Sequence, residues 1–355
     1  MSDALRVAMV MPPITAGRFD DVVDGWPTVT STVEGLHRAG VEVTVHGRTS
    51  EAEGSLERGG VRYRFHPSDA ALAAAVSADR PNVVHVHGLG WTRLLRRLAK
   101  VQAPLLLQHH GEPVFSGRAR VGHRWVRRSV AGYLFTGAAE GQVQPWIDAG
   151  VIEPGAPLFE VLEAASMLPD PEQAPEPLAG APAVLWVGRL IAGKDPLTAV
   201  EAFALAALPD AQLHMLATDR TMEAQVRARI AATASLRDRV HLHAAVPHQR
   251  MAAWYRGAHI YFSTSHREGS GYSLIEAMAC GCVPVVSAIP PHRAIAGDVG
   301  AQFPVADAPA AAKALENASW RSGEPSLERS RIVLSWEHVA GQLVAAYDTV
   351  ARRRD

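Results

Sequence analysis

The sequence predicts an α/β fold made of two domains, each a parallel β-sheet covered by helices, and three observations carry that reading. Short apolar runs rich in Val and Leu alternate from end to end with longer amphipathic segments, the pattern of buried parallel strands and the helices that cover them. The 355 residues suffice for two cores. Around Pro169-Asp-Pro-Glu-Gln-Ala-Pro-Glu-Pro-Leu-Ala-Gly-Ala181 the composition turns to Pro, Ala and Glu, which reads as a linker. The expected domains are residues 1–165 and 166–335, followed by a terminal segment, 336–355, whose apolar residues have helical spacing.

In the first half, strands are expected at 7–11, 41–45, 83–86, 105–108 and 133–136, with a helix over 28–39 that ends at Gly40. The loop between the first strand and that helix carries Gly17 and Gly25, and Gly25 reads equally as a phosphate or acceptor contact and as a plain turn. His85 and His87 alternate with valines and so share one face of their strand, a structural placement. Leu105-Leu-Leu-Gln-His-His-Gly-Glu112 ends a strand with His109, His110 and a glycine. Arg118 to Arg128 holds five arginines and one tryptophan, and Trp91 to Lys100 is basic on one side and apolar on the other. These stretches suit either docking on anionic lipid or a phosphorylated acceptor, or solvated helices whose Arg stems lie over the core.

The second half repeats the rhythm, with strands expected at 184–187, 213–216, 240–243, 259–265 and 282–287 and helices at 195–207, 222–232 and 249–256. Its centre is Glu268-Gly-Ser-Gly-Tyr-Ser-Leu-Ile-Glu276, set between two buried strands. Gly269 and Gly271 let the chain turn tightly and approach a ligand, and a helix starting near Tyr272 directs N–H groups and the positive end of its dipole at whatever lies over the loop. That geometry suits a phosphate. Glu268 and Glu276 place two carboxylates at one crevice, where they can accept hydrogen bonds from sugar hydroxyls. Val187-Gly-Arg-Leu-Ile-Ala-Gly-Lys194 also joins a strand to a helix; Gly188 and Gly193 read as a flexible turn, and Arg189 and Lys194 as cations at the carboxyl end of the sheet. A guanidinium fork with an ammonium is a common holder of diphosphate.

The spacing Glu-x7-Glu, the Ala-Cys-Gly ending and the Pro-Val-Val strand after it closely resemble the donor-site signature of the family 4 retaining glycosyltransferases (glycosyl transferase group 1), which have the GT-B fold. The Gly-Arg-Leu…Lys element resembles the same family, with Asp195 standing where the family usually has Gly. The resemblance implies two Rossmann-like domains whose sheets face a central cleft, with the segment from Trp336 crossing back to the first domain. It implies transfer of a hexosyl unit, with retention, from a nucleotide sugar, a UDP-sugar first, to a hydroxyl acceptor: a sugar, a small molecule or a lipid-linked group. Glu268 and the amides of Gly269, Ser270 and Gly271 would hold the sugar, Glu276 the ribose, Arg189 and Lys194 the diphosphate, and Val246 would meet the base, with Gly188, Tyr272, Ser273 and Leu274 also among the donor-binding residues. His110 would meet the transferred sugar, as against a histidine simply bonded at a strand end. The Ala217-Thr-Asp-Arg220 turn departs from the family's Gly-x-Gly and leaves the base open. A sugar phosphorylase of the same fold and a two-domain small-ligand binder are the alternative readings.

The net charge of −1 gives no global field favouring nucleic acid, which is not an expected partner. No Asp-x-Asp pair and no His/Cys/Asp cluster has metal spacing, so no metal or other cofactor is expected, and Arg189, Lys194 and the helix terminus must meet the charge of the leaving group. Cys280 and Cys282 read as small buried hydrophobes. With no signal-peptide pattern and no apolar run of spanning length, a cytoplasmic place is expected, peripheral to membrane if Arg118 to Arg128 binds lipid.

Overall fold

Two parallel sheets carry the buried strands, and each belongs to its own unit. A computed structural model describes residues 4–11, 19, 23, 27–49, 53–165, 174–176 and 178–352. One unit comprises Met1–Leu162 with Trp336–Asp355, the other Glu163–Ser335. Of the expected linker, 169–173 and 177 lie outside the described residues, as do Gly17 and Gly25.

The first unit runs β1 (Arg6–Val10), α1 (Pro27–Arg38), β2 (Glu42–Arg48), β3 (Gly54–Arg58), β4 (Val61–His66), α2 (Asp69–Ala78), β5 (Val83–His87), α3 (Thr92–Leu98), β6 (Leu105–Gln108), α4 (Gly117–Val126), β7 (Val130–Phe135), α5 (Gln144–Asp148) and β8 (Leu158–Glu160). The sheet order is β3-β4-β2-β1-β5-β6-β7-β8, parallel except for β3. Residues such as Val84, Val86, Leu105 and Leu107 are fully buried because helices cover the sheet, which is why these strands read as continuous apolar runs. The β3–β4 hairpin and α2 were not among the sequence-based expectations. Gly59 and Gly60, at φ 58° and 78°, make the two-residue left-handed turn that matches strand twist.

The second unit runs β9 (Ala183–Gly188), α6 (Pro196–Leu205), β10 (Gln212–Ala217), α7 (Glu223–Ala232), β11 (Val240–Ala244), α8 (Met251–Gly257), β12 (Ile260–Ser263), α9 (Tyr272–Ala279), β13 (Val283–Ser287), α10 (Pro290–Ala296), β14 (Ala301–Phe303), α11 (Ala308–Ala318) and α12 (Glu324–Ile332). Its parallel sheet is ordered β11-β10-β9-β12-β13-β14. Trp186, Phe203, Phe262 and Phe303 fill one face. The helix expected from residue 249 is preceded by a 3-10 turn, His248–Arg250. Strand order reverses between β9 and β12, and in open α/β sheets the loops at the carboxyl ends on either side of such a point form the crevice that holds ligands. The last helix, α13 (Trp336–Arg352), belongs to the first unit, where it packs on α1 and against β5.

Candidate active site

The loops after β9 and β12 meet at that reversal, and their charges pair. Lys194 Nζ lies 2.5 Å from Glu268 Oε1, although 74 residues separate them. Ser265 Oγ donates to the same oxygen at 2.6 Å. Burial disfavours the charged Glu268, but the Lys194 ammonium, His292 and the hydrogen bonds from Lys194 and Ser265 outweigh it and hold the carboxyl below its ordinary range. His292 is itself buried and held below its usual value by desolvation, with Nδ1 at 2.8 Å from the Ser287 carbonyl.

Asp195, the residue that departs from the family pattern, takes a left-handed backbone, φ 47° and ψ 60°. A glycine would adopt that conformation without cost. The aspartate compensates by capping α6: its carboxylate accepts from Thr198 N at 3.2 Å and Thr198 Oγ1 at 2.7 Å, and lies 2.8 Å from His266 Nε2. Thr264 Oγ1 donates to the carbonyls of Lys194 and Asp195 and so ties the loop to the end of β12. The left-handed residue of this turn is therefore Asp195. Gly193 has no positive φ, and a Cβ there would meet nothing within 4 Å, so the fold itself does not require that glycine. Gly188 lies against the Trp186 ring, which a Cβ would approach to 3.1 Å. Arg189 is exposed, and the next residue's N–H donates to the Asp219 carbonyl at 2.7 Å. Where the family has its Gly-x-Gly turn, the Asp219 carboxylate accepts from Thr221 N and Oγ1 at 2.9 and 2.6 Å, closing a side-chain turn. Those bonds first, and Arg189 last, lower the Asp219 carboxyl.

Gly271 caps α9 with φ 61°, and a Cβ there would reach 2.7 Å from Ile295 Cδ1, so both backbone and packing call for glycine. Leu274 does not face the crevice: its side chain is fully buried and its N–H bonds the Gly271 carbonyl at 2.9 Å, so it supports the loop from beneath. Ser273 Oγ is 2.7 Å from Tyr261 OH. Ser270 hydrogen-bonds Glu163, a buried carboxyl that burial pushes up to about 7.

Glu276 is buried on α9 with both oxygens engaged: His248 Nε2 lies 2.7 Å from Oε1, and Tyr255 OH donates to Oε2 at 3.3 Å. The bond to Glu276 raises the half-exposed His248 imidazole. Val246, half-buried, is two residues before it in the same turn. His248 and Glu163 were missed in the sequence, because neither lies in a motif and each finds its carboxylate or serine partner through the fold.

In the first unit, His110 Nε2 is 2.8 Å from Nδ1 of the buried His87. Desolvation holds His110 below its ordinary value, against the opposing pull of the Glu112 carboxylate. His109 points the other way, into the core, 4.8 Å from the Phe135 ring centroid and edge-on to Trp146. The Glu112 carboxylate accepts from His110 N at 2.7 Å and Leu89 N at 2.9 Å. The two cysteines are free thiols, Cys282 with its Sγ 3.0 Å from the Tyr255 carbonyl, and burial raises both. Among the described residues no three metal-ligating side chains cluster, and no helix is long and apolar enough to cross a membrane.

The fold is GT-B. Over 99% of this chain and all of the other, it matches an α,α-trehalose 6-phosphate synthase from Burkholderia multivorans with a TM-score of 0.71 at 15% identity. A sucrose-phosphate synthase from Thermosynechococcus elongatus matches over 98% of this chain and all of its own, with a TM-score of 0.69 at 20% identity. In sequence, residues 171–323 match the family described as glycosyl transferases group 1. The GDP-mannose:cellobiosyl-diphosphopolyprenol alpha-mannosyltransferase of Xanthomonas campestris is 28% identical over 322 residues, 82% of this chain and 78% of that protein. A D-inositol 3-phosphate glycosyltransferase of Xylanimonas cellulosilytica is 37% identical over 110 residues, 30% of this chain and 26% of that protein. Residues 171–323, which hold the Lys194–Glu268 crevice, are thus similar to the glycosyl transferases group 1.

Proposed function

We propose that this protein is a retaining glycosyltransferase that moves a hexosyl unit from a nucleotide sugar to a hydroxyl acceptor without a metal ion. The observation that carries the reading is the Lys194–Glu268 pair at the β9/β12 reversal, beside the N-terminus of α9. A cation and a carboxylate at one crevice serve different parts of one donor: the ammonium the diphosphate, the carboxylate the sugar hydroxyls. Arg189 joins Lys194 in taking up charge as the diphosphate leaves, and the α9 terminus adds its dipole. Glu276 takes the ribose hydroxyls, with His248 and Tyr255 fixing its oxygens. The loop of Gly269, Ser270, Gly271, Tyr272 and Ser273 lines the sugar, Val246 the base, and His110 contributes a hydrogen bond to the transferred sugar. The departing phosphate oxygen accepts the acceptor's proton, so no protein base is needed at that step.

A UDP-sugar, the donor that the family resemblance implies first, is the first to test. GDP-mannose, named in the description of a relative, is the second to test. That relative's diphosphopolyprenol acceptor supports a lipid-linked acceptor here. A lipid surface is also the partner that suits α3 and α4: Trp125 is 75% and Val121 56% exposed one turn apart, and Trp125 lines an open groove with Arg48, Arg93, Arg96, Arg97 and Lys100.

The test is a thermal-shift panel of UDP, GDP and ADP with and without EDTA, followed by NMR of the product's anomeric carbon. A ligand at 100 times its dissociation constant adds ~2.7 kcal/mol. One nucleotide should stabilise the chain equally with chelator present, and the product should keep the donor's anomeric configuration. Loss of all binding in EDTA, or an inverted product, overturns the reading.

A further inference from the structure

Beneath His110 lies a row of histidines that no motif accounts for. His85 Nδ1 is 2.8 Å from Tyr347 OH on α13, and the His85 and His87 rings stack with centroids 4.6 Å apart. His87 and His110 are nearly coplanar, at 13°, with centroids 4.9 Å apart. With a 2.8 Å Nδ1···Nε2 contact, that is an in-plane N–H···N hydrogen bond. One ring must donate and the other accept, so the two tautomers are coupled.

The buried end of the pair decides the direction. His87 Nε2 is buried and has no hydrogen-bond partner among the described residues. If His87 carried its proton there, a buried N–H donor would be orphaned, which native interiors rarely tolerate; an unmatched acceptor lone pair is the milder defect. His87 therefore carries its proton on Nδ1 and donates it to His110 Nε2. Neutral His110 must then carry its own proton on Nδ1. Glu112 fixes the backbone of the same residue: its two oxygens accept from His110 N and Leu89 N, tying the turn after β6 to the turn after β5.

We propose that His87 and Glu112 are positioning residues that hold His110 as the neutral Nδ1–H tautomer, so that it acts as a hydrogen-bond donor to an oxygen of the bound substrate and not as a proton acceptor. This rests on the reading that His110 meets the sugar, but the tautomer can be read without any substrate. Desolvation keeps both imidazoles below their ordinary values, which agrees with a neutral pair at pH 7.

Long-range 15N–1H correlation spectra of the histidine side chains test the tautomer in the ligand-free protein, with His110 assigned by its loss in His110→Gln. Wild-type His110 should show a protonated Nδ1 and a bare Nε2; a protonated Nε2 overturns the proposal whatever the kinetics show. His87→Asn keeps a donor at the Nδ1 position and should preserve the tautomer and turnover. His87→Leu should release the tautomer and lower kcat by about 10–100-fold, the size of effect known for removing the hydrogen-bond partner that orients a metal-ligating histidine, with nucleotide affinity unchanged. Equal kcat losses in Asn and Leu variants that melt like the parent would overturn the donor assignment. Should His87→Leu not fold, the wild-type spectrum and the Asn variant still decide. A confirmed tautomer together with a fully active His110→Ala would leave the hydrogen-bond assignment standing and remove the sugar contact instead.

Discussion

Replacing Lys194 by Met tests the pairing on which the donor crevice depends, because it removes the charge and keeps most of the stem. In the parent, Lys194 and Glu268 are only 19% and 15% exposed in their side chains. Breaking such a pair from one side costs about 3–5 kcal/mol when the remaining charge is uncompensated. The lower end applies, since Ser265 still donates to Glu268 and the carboxyl can take up a proton. For a unit of 173 residues (163–335), about 3 kcal/mol corresponds to a fall in Tm of roughly 6–12 °C at pH 8. The sign with pH follows from which influence remains. In the parent the Glu268 carboxyl is depressed, so its stabilisation is present above the unfolded value and lost as pH falls through the folded one. Without Lys194, burial is the largest remaining influence and raises the carboxyl, so the variant's deficit shrinks as pH falls through that raised value. Thermal melts of Lys194→Met and of Lys194→Met/Glu268→Gln at pH 8 and pH 5 measure this. The single variant should be worse at pH 8 than at pH 5, and the double variant should recover much of the loss. A deficit under about 2 °C, or one equal at both pH values, would show the pair to be a screened surface contact and sink the argument.

Three further outcomes follow from the same geometry. Glu276→Ala should weaken nucleoside diphosphate binding by about 1.5–3 kcal/mol for each lost charge-assisted bond, read by calorimetry; parental affinity would make Glu276 a structural anchor for His248 and Tyr255. Asp195→Ala should lower stability by about 0.5–2 kcal/mol through loss of the α6 cap, whereas Asp195→Gly should cost only a few tenths because glycine also relieves the left-handed backbone; the reverse order in urea midpoints would refute that account. Trp125→Ser with Arg96→Ser should reduce co-sedimentation with phosphatidylglycerol vesicles and leave binding of the free nucleotide unchanged; equal sedimentation of parent and variant would free this face of any lipid role.

Much of the fold was legible because its signals are local. Runs such as Leu105-Leu-Leu-Gln108 and Val283-Pro-Val-Val-Ser287 are buried strands of parallel sheets, and a strand covered on both faces reads as continuous apolar sequence. The β3–β4 hairpin was less visible: β3 is a polar edge strand, and the Gly59-Gly60 turn between the strands is its clearest mark. Within the crevice, Gly271 was readable from its place at the start of a helix, while Leu274, four residues from its motif's first serine, turned inward because α9 packs that face on the core.

The sequence by itself determined the strand–loop–helix units, the glycine that opens α9 and the inventory of cations and carboxylates at the ends of β9 and β12, since these depend on residues a few positions apart. Tertiary structure alone decided the partners. Lys194 meets Glu268 because β9 and β12 are neighbours in the sheet, and Glu276 meets His248 because the turn before α8 lies against α9. His87 reaches His110 because β5 and β6 pair in register, His87 opposite Gln108. Periodicity reports which face of an element is buried, but not which element lies beside it; a hydrogen bond between charges 74 residues apart exists only once strand order has placed two loops at one end of one sheet.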